Sequence, residues 1–257
     1  MKAVRVVIVL SLLLLCCVGW LLPAADPPEL EARLAAPSAT HWAGADQLGR
    51  DVLSRSLRAI ARTATMAAPA WILVVGAGAI LGMGAALREG KLFGRAVDWG
   101  IRIVFTTPFL LILIAMGALI GRGLGSVFLV VVLLGWAYPA RHARAVARDA
   151  LGAPYTQTAL AMGFPMSRIV IYVLVPACVL PVVAASGGLL VEIMALDMAL
   201  SLFGFGPPPP TPTMGSMLTD GLRYLSVAPW IVATPLSLVC VLCVGVRWVS
   251  HGVARAV

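Results

Sequence analysis

Charged side chains are scarce in this chain. Asp, Glu, Lys and Arg make up 12% of its residues, against about 25% in a soluble globular domain. So few charges cannot cover a water-facing surface, which excludes an ordinary soluble fold and points to the bilayer as solvent. Lysine is rarer still, with Lys2 and Lys91 alone. That shortage excludes a phosphate-binding loop, whose G-x-x-x-x-G-K-[ST] spacing needs a lysine and a hydroxyl to hold phosphate and magnesium. Lys91 follows Gly90 but precedes Leu92, and Gly84 stands one residue too far upstream. Any ATP-driven work would draw its energy from another subunit. Histidine is limited to His41, His142 and His251, far apart in sequence. A catalytic site needs converging acids, bases or nucleophiles, and neither H-E-x-x-H, G-x-S-x-G nor clustered His and Cys ligands occur. No catalytic residue, metal site or bound cofactor is expected.

The net charge of +8 does not indicate nucleic acid, because the basic residues sit between apolar runs rather than in one patch. Hydrophobic residues make up 61% of the chain, and the mean hydropathy is +0.98. Cys16, Cys17, Cys178, Cys240 and Cys243 all lie in these runs. The Cys240-x-x-Cys243 spacing has no second pair, so these cysteines read as small apolar residues.

A spanning helix needs about 20 apolar residues. The first candidate is Val6–Leu22, behind Lys2 and Arg5. Pro23-Ala24-Ala25 resembles a cleavage site, but the run is longer than a signal-peptide core, so a retained helix is expected. Prolines 23, 27, 28 and 37 make an irregular start to the polar stretch that follows, and Gln47–Arg62 is expected as a short amphipathic surface helix. The second span is Thr63–Leu87, with a small-x-x-x-small pair at Gly78 and Gly82 suited to close helix packing. The third is Ile103–Ile120, softened by Pro108, and the fourth is Ser126–Ala140 beyond a glycine turn. The fifth, Val173–Leu196, holds Pro176 and Pro181. A Gly- and Pro-rich loop, Leu202–Pro229, leads to the sixth, Trp230–Val249. The expected fold is thus all-α, with about six transmembrane helices. Residues 1–62 form a first helix and outer surface segment, and 63–257 form a membrane core.

Basic residues set the orientation. With both termini in the cytoplasm, Arg88, Lys91, Arg95, Arg102, Arg141, Arg144, Arg148 and Arg168 fall inside, against Glu89, Asp98 and Asp149 alone. Outside, Arg50, Arg55, Arg58 and Arg62 are balanced by acids such as Asp46, Asp51, Asp197 and Asp220. Glu192 is the clear acid within a span, and either lines a pathway or pairs with a neighbouring helix. Arg141–Pro176 is too polar to span and too long for a tight connection. Within it, Asp149–Met162 is moderately apolar and Gly163 can end a helix. That pattern suits a cytoplasmic knob for a soluble partner, or a helix lying on the membrane surface. Tyr155, Ala159 and Met162 fall on one face of such a helix.

His41–Arg55, with the core Gly49-Arg50-Asp51-Val52-Leu53-Ser54-Arg55, resembles the signature of the permeases of dipeptide, oligopeptide and nickel ABC importers. Asp149–Pro176 is similar to their cytoplasmic coupling loop, at about residues 143–172. Gln157-Thr158-Ala159 stands at the E-A-A position, Gly163 at its glycine, and Val175-Pro176 at its end. Leu200–Gly206 and the prolines beyond it resemble a further family segment. Two departures stand out: Gln157 replaces the acid, and Val173 replaces a frequent histidine. The resemblance implies the type I ABC importer permease fold with a coupling helix. It implies the second permease of a pair in the bacterial inner membrane. The partners would be a homologous permease, two cytoplasmic ATPases carrying ATP and Mg, and a periplasmic solute-binding protein. Peptide, nickel-chelate, metallophore and glutathione systems share these motifs, since the binding protein sets specificity. Coupling-loop residues would be Tyr155, Gln157, Thr158, Ala159, Met162, Gly163 and Pro176. Gly49, Arg50, Asp51, Ser54 and Arg55 would be structural, and Glu192 would be the pathway candidate. Two rivals remain: an ion-coupled secondary transporter, which would work without an ATPase, and a non-transport membrane protein, whose loss would leave uptake unchanged.

Overall fold

The computed structural model describes residues 17–22, 27–108, 111–112, 115, 118–119, 124–208 and 210–254. Among them the regular structure is helical, apart from one isolated antiparallel bridge between Ala45 and Asp51. We number the helices α1 (Val52–Leu87), α2 (Leu92–Thr106), α3 (Leu124–Gly135), α4 (Ala137–Gly152) and α5 (Pro154–Ala161). They continue with α6 (Met166–Leu202, including one π turn), α7 (Met214–Leu222) and α8 (Trp230–Ala254). Three described helices, Val52–Leu87, Met166–Leu202 and Trp230–Trp248, are long and apolar enough to cross a membrane. Most of the expected first span, and parts of the third and its following turn, lie outside the described residues.

Two compact units divide the chain, and the expected boundary at 62/63 falls inside α1 rather than between them. One unit gathers 1–68, 114–128 and 191–249, and the other 69–113, 129–190 and 250–257.

In the first unit, the expected surface helix over Gln47–Arg62 is replaced by a turn and the first turns of α1. The Asp46 carboxylate accepts from the backbone N–H groups of Leu48 at 2.8 Å and Arg50 at 3.0 Å. Such local bonds compete with helix formation. Gly49 sits at φ +77°, and a Cβ there would run into the Glu29 carbonyl. The helix can start only after Asp51, whose Oδ2 accepts from Ser54 N at 2.7 Å as an N-cap. The expected loop over Leu202–Pro229 contains α7, started by a capping box in which Thr213 and Ser216 bond reciprocally.

In the second unit, α4 lays a row of alanines, Ala137, Ala140, Ala143, Ala147 and Ala150, into the interior. Against them lie Gly78 and Gly82 of α1. A Cβ at Gly78 would meet Pro139 at 2.5 Å, and one at Gly82 would strike the Ala140 carbonyl and approach Ala143 Cβ at 2.9 Å. In lipid, where apolar side chains gain nothing by leaving solvent, such close backbone approach is a main source of helix association. Ion pairs hold the edge: Arg144 to Asp98 of α2 and, at 4.0 Å, to Glu89, with Arg148 also on Glu89. Trp71 Nε1 donates to the Ser186 carbonyl at 2.7 Å, joining α1 to α6. Cys178 is buried here as a small packing residue.

Pro69, Pro181 and Pro235 lie within long helices. Immediately before Pro176, residues Val170–Leu174 widen into a π turn. A proline lacks the N–H for the preceding turn and crowds its carbonyl, and widening relieves both problems.

Gly82→Val is expected to destabilise the detergent-purified chain by about 1–3 kcal/mol through overpacking. Gly76→Val, on the same helix with nothing within 4 Å of its Cβ, should leave the thermal unfolding midpoint near wild type. Equal midpoints for the two variants would contradict the packing assigned to Gly82.

Candidate functional site

Of the residues expected in the coupling loop, Tyr155, Gln157, Thr158 and Ala159 lie on α5, a helix of two turns between two longer ones. Ala153 is extended (φ −66°, ψ 143°), and Pro154 occupies the first helical position, where its missing N–H is harmless. The expected single helix over Asp149–Met162 is therefore broken at Ala153, and Asp149 belongs to the last turn of α4, which ends at Gly152. The far end is a Schellman motif. Gly163 N donates to Leu160 O at 3.0 Å and Phe164 N to Ala159 O at 3.1 Å. Gly163 has φ +83° and open space around its Cβ position, so conformation rather than crowding requires glycine there.

Within α5, Thr156 is fully buried, and its hydroxyl donates to the Ala150 carbonyl at 2.7 Å. Gln157 Nε2 donates to the Leu151 carbonyl at 2.6 Å. Thr158 bonds back to Pro154 O at 2.9 Å. Tyr155 is 60% exposed and Met162 67% exposed. Ala159, expected on the same face, is half-buried. With Phe164, Arg168, Ile169, Tyr172 and Val173 it lines an open groove of about 490 Å³ between α5 and the start of α6. Arg168 stacks on Phe164, its guanidinium 5.2 Å from the ring centroid. Pro176 lies inside α6, beyond the π turn. On α4, burial and the neighbouring Arg141 guanidinium push the His142 imidazole below its usual value. The Tyr138 ring lies beside it at 4.8 Å.

The signature residues belong to the other unit and centre on Asp46, which is 3% exposed. Its Oδ2 takes Arg50 Nε at 2.8 Å and Arg55 Nε at 3.4 Å. Ser54 supplies the N–H to the Asp51 cap, and its carbonyl accepts Arg58 Nε at 3.3 Å. His41 stands 3.6 Å from Asp51. Asp46 and Asp51 thus hold the loop through ion pairs and a helix cap made within the chain itself.

Two features were not singled out from the sequence. Thr156 is one. The other is a buried group in which Thr63 Oγ1 donates to Asp197 Oδ2 at 2.6 Å, joining α1 to α6. Arg62 lies within electrostatic reach of that carboxylate. The signal was the Arg55, Arg58, Arg62 spacing on one helix face, opposite an acid in an apolar run. Glu192, the acid singled out instead, is exposed on α6, while Asp197 is 1% exposed.

Residues 78–257 match the family of binding-protein-dependent transport system inner membrane components. The chain belongs to that family. It resembles the oligopeptide transport system permease protein OppC of Bacillus subtilis, 26% identical over 86% of this chain and 72% of that protein. Similarity to the dipeptide transport system permease protein DppC of Alkalihalophilus pseudofirmus is 26%, over 98% of this chain and 84% of that one. The probable D,D-dipeptide transport system permease protein DdpC of Escherichia coli is 27% identical over 96% and 83%. Among solved structures, a chain of the MetNI methionine ABC transporter in an inward-facing crystal form superposes with a TM-score of 0.62. It is 19% identical, over 79% of this chain and 95% of that one, so it bears on the fold. The architecture is that of a type I ABC importer permease, and the family places the chain among membrane-integral transport components rather than enzymes.

Asp46→Asn keeps an acceptor for the backbone N–H groups and loses the charge facing Arg50 and Arg55. Asp46→Ala loses both. Folded yield in detergent is expected to fall in that order, with the alanine variant losing about 3–5 kcal/mol as buried guanidinium groups lose their partner. Equal yields would show that Asp46 does not organise the loop.

Proposed function

We propose that this chain is the second of two homologous permease subunits of an ATP-driven importer in the bacterial inner membrane. Together the two subunits form the path for a peptide, or for a nickel or other metal chelate, delivered by a periplasmic binding protein. Peptide is the preferred class, because the relatives at 26% and 27% identity are named for oligopeptide and dipeptide transport. Both termini lie in the cytoplasm, as the excess of basic residues around α2 and α4 favours.

The observation that carries the mechanism is α5: a short helix fixed at both ends, presenting Tyr155 and Met162 to solvent. This is the geometry of a helix that inserts into a groove on a partner. The partner is one of two cytoplasmic ATPase subunits, which hold ATP and Mg. Closure of the ATPase pair on ATP draws the coupling helices together and turns the inward-facing path outward. Hydrolysis resets it, and the solute undergoes no covalent change. Glu192, exposed on α6, faces the path or the partner permease. The signature loop from Gly49 to Arg55 acts structurally and does not touch solute.

Two experiments test this. Tyr155→Asp would place an unpaired charge on the exposed face that docks, and Gly163→Val would impose a strained φ on the end of α5. Both variants should insert normally yet lose at least about tenfold in ATPase co-purification, because burying an unpaired charge costs several kcal/mol and a strained helix end displaces the same face. Retention of the ATPases by both would remove α5 as the docking element. For orientation, a cysteine at exposed Ala36 should react with an impermeant reagent from outside, and one at exposed Ala96 only after the membrane is opened. The reverse pattern would overturn the topology.

A further inference from the structure

We infer that Thr156 and Gln157 are positioning residues that clamp α5 onto the end of α4, and that position 157 must carry a neutral hydrogen-bond donor for the clamp to hold. The inference rests on the reading of α5 as the docking helix, and it assigns the means by which a push on that helix reaches the membrane core.

The last four carbonyls of a helix have no backbone donors of their own. At the end of α4 the chain cannot supply them by continuing, because Ala153 is extended and Pro154 has no N–H. Side chains of the next helix do so instead: the Thr156 hydroxyl on Ala150 O and the Gln157 amide on Leu151 O. Thr156 is fully buried, so water cannot replace its bond without opening the contact. One extended residue would otherwise act as a swivel between α4 and α5. With both bonds made, the two helices move as one body. Behind them, α4 is seated on Gly78 and Gly82 of α1 and paired through Arg144 to Asp98 of α2. Displacement at the Tyr155 and Met162 face is thereby delivered to α1 and α2 rather than lost in rotation about Ala153.

The chemistry at 157 is directional. Carbonyl oxygens only accept, and the C-terminal end of α4 carries partial negative charge. An amide donates there. A carboxylate at the same 2.6 Å contact would oppose two acceptors, and only its protonated form would restore the bond. Gln157→Glu therefore raises the acid's pKa in the clamped state. The clamp is present below that raised value and is lost as pH rises through it.

The test uses the full chain assembled with its partners in nanodiscs, with the five native cysteines replaced by alanine. Spin labels at Ala145→Cys on α4 and Ala161→Cys on α5 report the distance between the helices. The parent should give one narrow distribution. Thr156→Val and Gln157→Met should broaden it, and Thr156→Ser should restore it. Gln157→Glu should be broad at pH 8 and narrow only as the pH falls toward the ordinary glutamate value of about 4.3, because the side chain is exposed, while Gln157→Met stays broad throughout. ATP hydrolysis stimulated by a trialanine-loaded binding protein should fall about three- to tenfold in the broadened variants, the range that loss of a roughly 1 kcal/mol hydrogen bond gives. A narrow distribution for Thr156→Val, or for Gln157→Glu at pH 8, overturns the clamp. Failure of the docking reading looks different: the ATPases would not be retained even by the parent chain, whatever the distances.

Discussion

Close approach of the α1 and α4 backbones at Gly78 and Gly82 is the contact on which the second unit depends. There is no hydrophobic gain from bringing two apolar helices together in lipid, so association has to come from packing and polar contacts. The absence of side chains at 78 and 82, opposite the alanines of α4, lets the backbones reach that contact. Everything attached to α4 then inherits its position. Arg144 and Arg148 reach Asp98 and Glu89 because α4 is held there. The start of α5 is fixed because α4 ends one extended residue before it.

The first unit solves a different problem. A polar segment rich in arginine has to fold against the ends of apolar helices without leaving buried charge unanswered. Asp46 meets two backbone donors and two guanidinium groups. Trp230 Nε1 donates to Ala45 O at 3.3 Å, and the ring packs against Gly44, tying the loop to α8. Within the long sequence signature, Asp46, Arg50, Asp51, Ser54 and Arg55 close bonds within the loop or at the start of α1.

Much of this is legible in the amino-acid sequence. Scarce charge, long apolar runs and basic loops required a helical membrane protein. The small residues at 78 and 82 identified a packing face, and Gly163 marked a helix end. The Schellman geometry gives that glycine its reason. Helix boundaries were less legible. Gln47–Arg62 reads as one amphipathic stretch, but the Asp46 carboxylate takes the N–H groups of Leu48 and Arg50. The helix α7 hides in a segment whose glycines and prolines suggest loop throughout. Thr156 is not legible in the sequence, because a single threonine in a polar stretch carries no periodic signal, and its partner is a backbone carbonyl, which no sequence pattern records.

The sequence by itself determined the solvent and the helical class, because these follow from composition and from the scarcity of charge. Only the tertiary structure decided which polar groups meet. Asp197 and Glu192 are both acids on one helix, five residues apart, and nothing local distinguishes them. One is buried on Thr63 because its side of α6 faces α1, and the other is exposed because its side does not. In the same way Gln157 stands as an acid's replacement in the sequence, and becomes a hydrogen-bond donor only where the end of α4 leaves a carbonyl unanswered beside it.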